Sequence, residues 1–104
     1  MEAVLEIGDY DRAAALAENL NPDAHPYRSR QSVYWRDYGR ALSQLRRRYD
    51  EAVMAFRRAE MIHPHRVHRD PIVRDVLAEL QTRSHSPAVA RELRGMAYRA
   101  GLDV

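Results

Sequence analysis

Trp35-x-x-Tyr38-Gly39-x-x-Leu42, then Tyr49-Asp50-Glu51-Ala52-x-x-x-Phe56-x-x-Ala59, closed by His63-Pro64, is the stretch that decides the fold of this chain. Its apolar residues recur every three or four positions, the spacing that lines one face of an α-helix. Val33, Trp35, Tyr38, Leu42 and Leu45 supply one such face, with Ala41 close by, and predict a helix over roughly Tyr27–Arg46. Ala52, Val53, Phe56, Ala59 and Ile62 supply the next, over Tyr49–Ile62. Asp50 and Glu51 stand at its N-terminal end, where the helix dipole favours acids by roughly 0.3–1 kcal/mol each.

Upstream, Tyr10, Ala13, Ala14, Leu16, Ala17 and Leu20 mark a helix over about Asp9–Leu20, stopped by Asn21-Pro22 and a loop from Pro22 to Pro26. Val4, Leu5 and Ile7 before it suggest the last turns of a further helix, short or cut, ended by Gly8. Tyr-Asp-x-Ala occurs at Tyr10–Ala13 and again at Tyr49–Ala52, an internal echo. Downstream, His63 to Arg69 reads as a polar connector. Asp70-Pro71 then opens a helix with an aspartate cap and a proline at the first helical position. Its stripe is Ile72, Val73, Val76, Leu77 and Leu80. Ser86-Pro87 repeats the device for a last helix with Val89, Leu93, Met96, Ala97 and Ala100 on one face, Arg91, Arg94 and Arg99 on its polar side, and Gly101 as its end. Leu102 is placed to fold back onto it. No run alternates β-branched with polar residues, so no strand is expected.

The 104 residues fit one domain. No apolar run reaches the ~20 residues that a membrane span needs, and the early Glu2, without a basic stretch, does not suit a secretory signal. A soluble, cytoplasmic protein is the expectation. Cysteine is absent, which removes disulfides, thiol catalysis and Cys-based metal sites. All 17 basic residues are arginine, so the charge of the acids is nearly cancelled at neutral pH while the pI stays high. The complete lack of lysine fits codon bias in a GC-rich genome.

Three constellations bear on chemistry. His63, His65 and His68 are the local metal-ligand candidates, but Pro64 splits them and no acid joins them before Asp70, so no metal is expected. Serines stand in no nucleophile motif, the four glycines are isolated, and the carboxylate pair Asp50/Glu51 suits capping; an enzyme and a cofactor are not expected. Arg46-Arg47-Arg48 with Arg57-Arg58 is a basic surface that nucleic-acid phosphates would attract, the alternative reading. The small net charge and the lack of interleaved aromatics weigh against it. Arg36, Arg40 and Gln44 follow at i, i+4 and i+8, away from the Tyr38/Leu42 side, and suit a carboxylate partner.

The opening stretch resembles the tetratricopeptide repeat, W-x2-L-G-x2-Y then A-x3-F and P on a two-helix unit. Trp35, Tyr38, Gly39, Leu42, Tyr49, Ala52, Phe56, Ala59 and Pro64 carry the match. It departs by one extra residue near Leu45–Arg48, where the family has a glycine turn. His68-Arg69-Asp70-Pro71-Ile72-Val73-Arg74 with Arg91-Glu92-Leu93-Arg94-Gly95-Met96-Ala97-Tyr98-Arg99-Ala100-Gly101 extends the resemblance. It is similar to the tetratricopeptide-like C-terminal region of actinobacterial helix-turn-helix regulators of the Cro/repressor-like group. The resemblance implies an all-α fold: antiparallel helix pairs of a tetratricopeptide-like solenoid, five to six helices, in a single domain over 1–104. Repeat-like units would cover about 1–22 and 27–64, and a C-terminal helix pair 70–101. It also implies that the third helix lines a groove, so that Arg36, Arg40 and Gln44 would meet a protein or peptide partner. The N-terminal helix reads as the remnant of a longer one, and self-association is expected at that end. No helix-turn-helix signature stands in the chain, so a regulatory module without direct DNA contact is implied.

Overall fold

The apolar stripes form helices where the sequence puts them. A computed structural model describes residues 9–20 and 27–102, and every regular element in it is an α-helix. They are α1 (Tyr10–Glu18), α2 (Arg28–Leu42), α3 (Tyr49–Ile62), α4 (Pro64–Arg69), α5 (Pro71–Leu80) and α6 (Pro87–Arg99). The helix expected before Gly8 and the loop at Pro22–Pro26 lie outside the described residues. No helix among those described is long and apolar enough to cross a membrane.

α2 and α3 run antiparallel. Arg28 bonds to the Ile62 carbonyl, Ser32 to that of Ala59, and Gly39 lies against Phe56, so the pairs count up one helix and down the other. A Cβ on Gly39 would lie 3.0 Å from the Phe56 ring, which is fully buried. Glycine is therefore what lets the two helices cross at this distance. Tyr10 and Tyr49 are each the first residue of their helix, and Ala13 and Ala52 are both fully buried, so the two Tyr-Asp-x-Ala copies occupy equivalent local positions.

α2 stops at Leu42 rather than near Arg46. The Ser43 hydroxyl donates to the Arg40 carbonyl at 2.7 Å, the side-chain competition that loosens a helix end. Ser43 to Arg48 form a widened turn, which absorbs the extra residue. The polar connector of the sequence reading is also corrected: Pro64–Arg69 is helix α4. His63 caps it through Nδ1, which accepts from the Arg66 N–H at 3.4 Å, and Pro64 follows at the first turn. Histidine followed by proline thus works here as Asp70-Pro71 and Ser86-Pro87 do, where Asp70 accepts from the Ile72 N–H and Ser86 from that of Val89. α6 ends as expected: Gly101 takes φ +76° and Leu102 donates back to the Ala97 carbonyl at 2.8 Å while packing on the core.

The core is built around α3, which contacts α2, α4, α5 and α6. Val53, Phe56, Leu42, Val73, Leu77, Leu80 and Met96 are its largest buried side chains. Two expectations fail at its edge. The sequence puts Leu16 and Leu20 on the buried face of the first helix, but they are 42% and 57% exposed, Leu20 lies beyond the end of α1 at Glu18, and the inward face is carried by Ala13, Ala14 and Ala17. Alanines there bring α1 close to α2, which leaves the leucines on the outer side.

Candidate interaction surface

The α2 stripe continues past the core into an open groove. Trp35 and Tyr38 of α2, Met54, Ala55 and Arg58 of α3, and Val89 of α6 line it, with Asp50 and Glu51 at one end, around a volume of about 490 Å³. Met54 is 45% exposed there. Tyr34 and Tyr38 pack edge-on to the indole of Trp35, with ring centroids 5.1 and 6.1 Å away, and the Arg58 guanidinium lies 5.4 Å over it. Such contacts favour a fixed ring orientation. The indole Nε1 is buried with no hydrogen-bond partner among the described residues.

One wall of the groove is tied down by charge. The Tyr38 hydroxyl donates to Glu18 at 2.8 Å, and Arg48 donates to Glu18 and to Glu51, both at 2.6 Å. Burial, then the hydrogen bond to Glu18, pushes the Tyr38 hydroxyl up to about 12. Hydrogen bonds from Arg48 and Tyr38 hold the Glu18 carboxyl below its ordinary value. This links α1, α2 and the start of α3.

The arginine stripe expected to meet a partner is divided. Arg36 turns inward: its guanidinium meets Asp37 at 2.7 Å and Asp70 at 2.9 Å. Burial works against its charge, and the hydrogen bonds with Asp70 and Asp37 outweigh that, raising its pKa. Arg36 therefore joins α2 to the start of α5. Arg40 is half-buried on α2, and Gln44 lies beyond the helix, in the turn, so the three do not form one continuous helical row.

The basic surface is divided too. Arg48 is held by Glu18 and Glu51, and Arg57 by Glu60 at 2.7 Å and Glu92 at 3.1 Å. Arg58 covers Trp35. Arg46 and Arg47 are exposed at the turn.

The sequence reading missed Glu60. It lies 2% exposed on the inner side of α3 and accepts from Arg57, from His68 Nε2 at 2.6 Å and from Arg99 through two bonds of 2.8 Å. Burial raises its pKa, but the Arg99 and His68 hydrogen bonds and the charges of Arg99 and Arg57 prevail and bring it down to about 2. Arg99 is thus no part of a purely outer polar face, as expected of it. Gly95, one turn earlier, makes room: a Cβ there would stand 2.9 Å from the Arg99 guanidinium. In the sequence, only Arg57 at i−3 hinted at this cluster; Arg99 lies 39 residues away.

The connector histidines do not converge. His63 caps α4, His65 is exposed and His68 serves Glu60. No group of three side chains able to hold a metal occurs among the described residues. Comparison of the chain with protein-family models, with curated proteins and with solved structures gives no match.

Proposed function

We propose that the chain is a protein- or peptide-interaction and oligomerisation module built from tetratricopeptide-like helix pairs, the regulatory part of a transcriptional regulator that leaves DNA reading to another element. The observation that carries the interaction reading is the groove between Trp35, Tyr38, Met54 and Val89. It offers a rigid aromatic floor and an exposed methionine, the surface that takes up an apolar anchor side chain of a peptide. The Arg58 guanidinium along one side of the groove favours a peptide with an acid beside its anchor. The contact surface proposed is therefore this groove and not the Arg36, Arg40 and Gln44 row, because Arg36 serves the fold. Exposed Leu16 on α1 and Leu20 just beyond it support self-association at the N-terminal end.

The alternative of direct nucleic-acid binding keeps Arg46 and Arg47, which are exposed and pair with no carboxylate among the described residues, while Arg48 and Arg57 are tied to acids and Arg58 lies over Trp35. A displayed random-peptide library selected on the purified chain tests the main reading. Selected peptides should share an apolar anchor, and Met54→Glu should weaken them by at least about tenfold while Arg40→Ala leaves them unchanged. Peptides that bind Met54→Glu as well as the parent would move the site elsewhere.

A further inference from the structure

A second cavity, of about 300 Å³, lies between the Ser43–Arg48 turn and the connector from α5 to α6. Its lining is Arg46, Arg47, Tyr49, Asp50, Ser84, His85 and Ser86. Arg46 and Arg47 are exposed and pair with no carboxylate among the described residues, although Asp50 shares the cavity with them. Asp50 is occupied: one carboxylate oxygen meets His85 Nδ1 at 2.7 Å and the other accepts from the Ser86 N–H at 3.3 Å. The far side of the His85 ring is held by the Leu80 carbonyl at 2.7 Å, so His85 ties Asp50 of α3 to the connector. Two guanidiniums are left facing a hollow with the Ser84 and Ser86 side chains on its other side. α3 begins at Tyr49, in the same lining, without a side-chain cap, and its first turn already carries Asp50 and Glu51. A third guanidinium, of Arg83, lies 5.4 Å over the Tyr49 ring.

We infer that this cavity is a receptor for a phosphomonoester group carried on a peptide. A phosphoryl dianion offers three acceptor oxygens and nearly two charges, which two guanidiniums and the serine hydroxyls satisfy together. A single carboxylate would leave one guanidinium without a counter-charge. A nucleic-acid backbone is disfavoured because it asks for a row of cations, and the arginines that would continue the row, Arg48 and Arg57, are bound to Glu18, Glu51, Glu60 and Glu92. The inference rests on the peptide-module reading for the carrier; the cavity shares the Asp50 carboxylate with the groove, and its two guanidiniums lie outside the groove lining.

The test is amide and arginine side-chain NMR on the isotope-labelled full chain at fixed ionic strength. It is titrated separately with inorganic phosphate, a phosphoserine peptide, its unphosphorylated form, and a single-stranded oligonucleotide lacking a terminal phosphate. The expected result is saturable shifts confined to Arg46–Asp50 and Ser84–Val89 with phosphate and, more tightly, with the phosphopeptide. Arg46→Gln with Arg47→Gln, both exposed and so not needed for folding, should weaken both by at least about tenfold. Saturation with phosphate alone, equal for both peptides, would retain an anion site and overturn the peptide carrier; if peptides still enter the groove of Met54-containing parent chain, the module reading survives. Tighter saturation by the oligonucleotide, absence of saturable shifts, or unchanged binding by the double variant would overturn the inference.

Discussion

At the scale of single residues, Gly39 is the clearest case of a side chain chosen by its absence. It stands mid-helix, where alanine is favoured over glycine by about 1 kcal/mol. The Phe56 ring is fully buried and stands 3.0 Å from where the Cβ would be. It cannot swing into solvent, so overpacking of about 1–3 kcal/mol opposes the propensity gain. Gly39→Ala should therefore lower the unfolding free energy by up to about 2 kcal/mol, measured by urea denaturation; a stabilised variant would mean that α2 and α3 separate easily. Gly39 and Phe56 both stand out in the sequence as motif positions, but only the fold brings them into contact. Glu60 does not stand out. A carboxylate on an apolar stripe reads as a surface residue until the arginine that neutralises it is located, and neither sequence distance nor helical period points to Arg99.

At the scale of elements, the chain punctuates itself with a capping side chain followed by proline. Asp70-Pro71 and Ser86-Pro87 were readable because aspartate and serine are ordinary caps. His63-Pro64 was not, because histidine is a rare one, and so α4 was taken for a loop. Asp70 does two jobs, one carboxylate oxygen accepting from the Ile72 N–H and the other from Arg36. The two jobs are separable. Asp70→Asn keeps a capping oxygen and loses the charge facing Arg36, whereas Asp70→Ala loses both. Thermal unfolding should rank parent, Asn, Ala in falling stability, with the cap alone worth about 0.5–2 kcal/mol. Equal losses in the two variants would show that the ion pair with Arg36 carries the whole effect. The end of α2 was misjudged for a local reason as well. Leu45 fits the apolar spacing, but the Ser43 hydroxyl bonds back into the helix, and the helix ends at Leu42, four residues before Arg46.

At the scale of the whole molecule, the radius of gyration of 12.7 Å is that of a compact chain of this length, about 13 Å. The all-helical class was legible from periodicity alone; the way the C-terminal helices close on α3 was not, because polar groups do much of it. Glu60 joins α3 to α4 through His68 and to α6 through Arg99, and Arg74 donates to the carbonyls of both His68 and Ala100. The Glu60 carboxyl has an ordinary value of 4.5 and is held at about 2 in the fold. A depressed carboxylate stabilises the folded state fully above its unfolded value, and that contribution is lost as pH falls through the folded one. The parent chain should lose stability between about pH 4.5 and pH 2, and Glu60→Gln should show a flatter profile in that window. At neutral pH the variant should be weaker by about 2–3 kcal/mol, the low end for a broken buried pair because Arg57 and Arg99 can turn to water. A Glu60→Gln profile as steep as the parent's would assign the acid sensitivity to other carboxylates.

The groove also gives the molecule an optical voice. Trp35 is the single tryptophan of the chain, and it forms the groove floor under the Arg58 guanidinium. Its ultraviolet emission therefore reports one place, undiluted by any other indole. An apolar occupant that displaces water beside Met54 and Val89 should move that emission to shorter wavelength, while a phosphate seated between Arg46 and Arg47 should leave its colour unchanged. The two surfaces can thus be told apart in a cuvette, without a label.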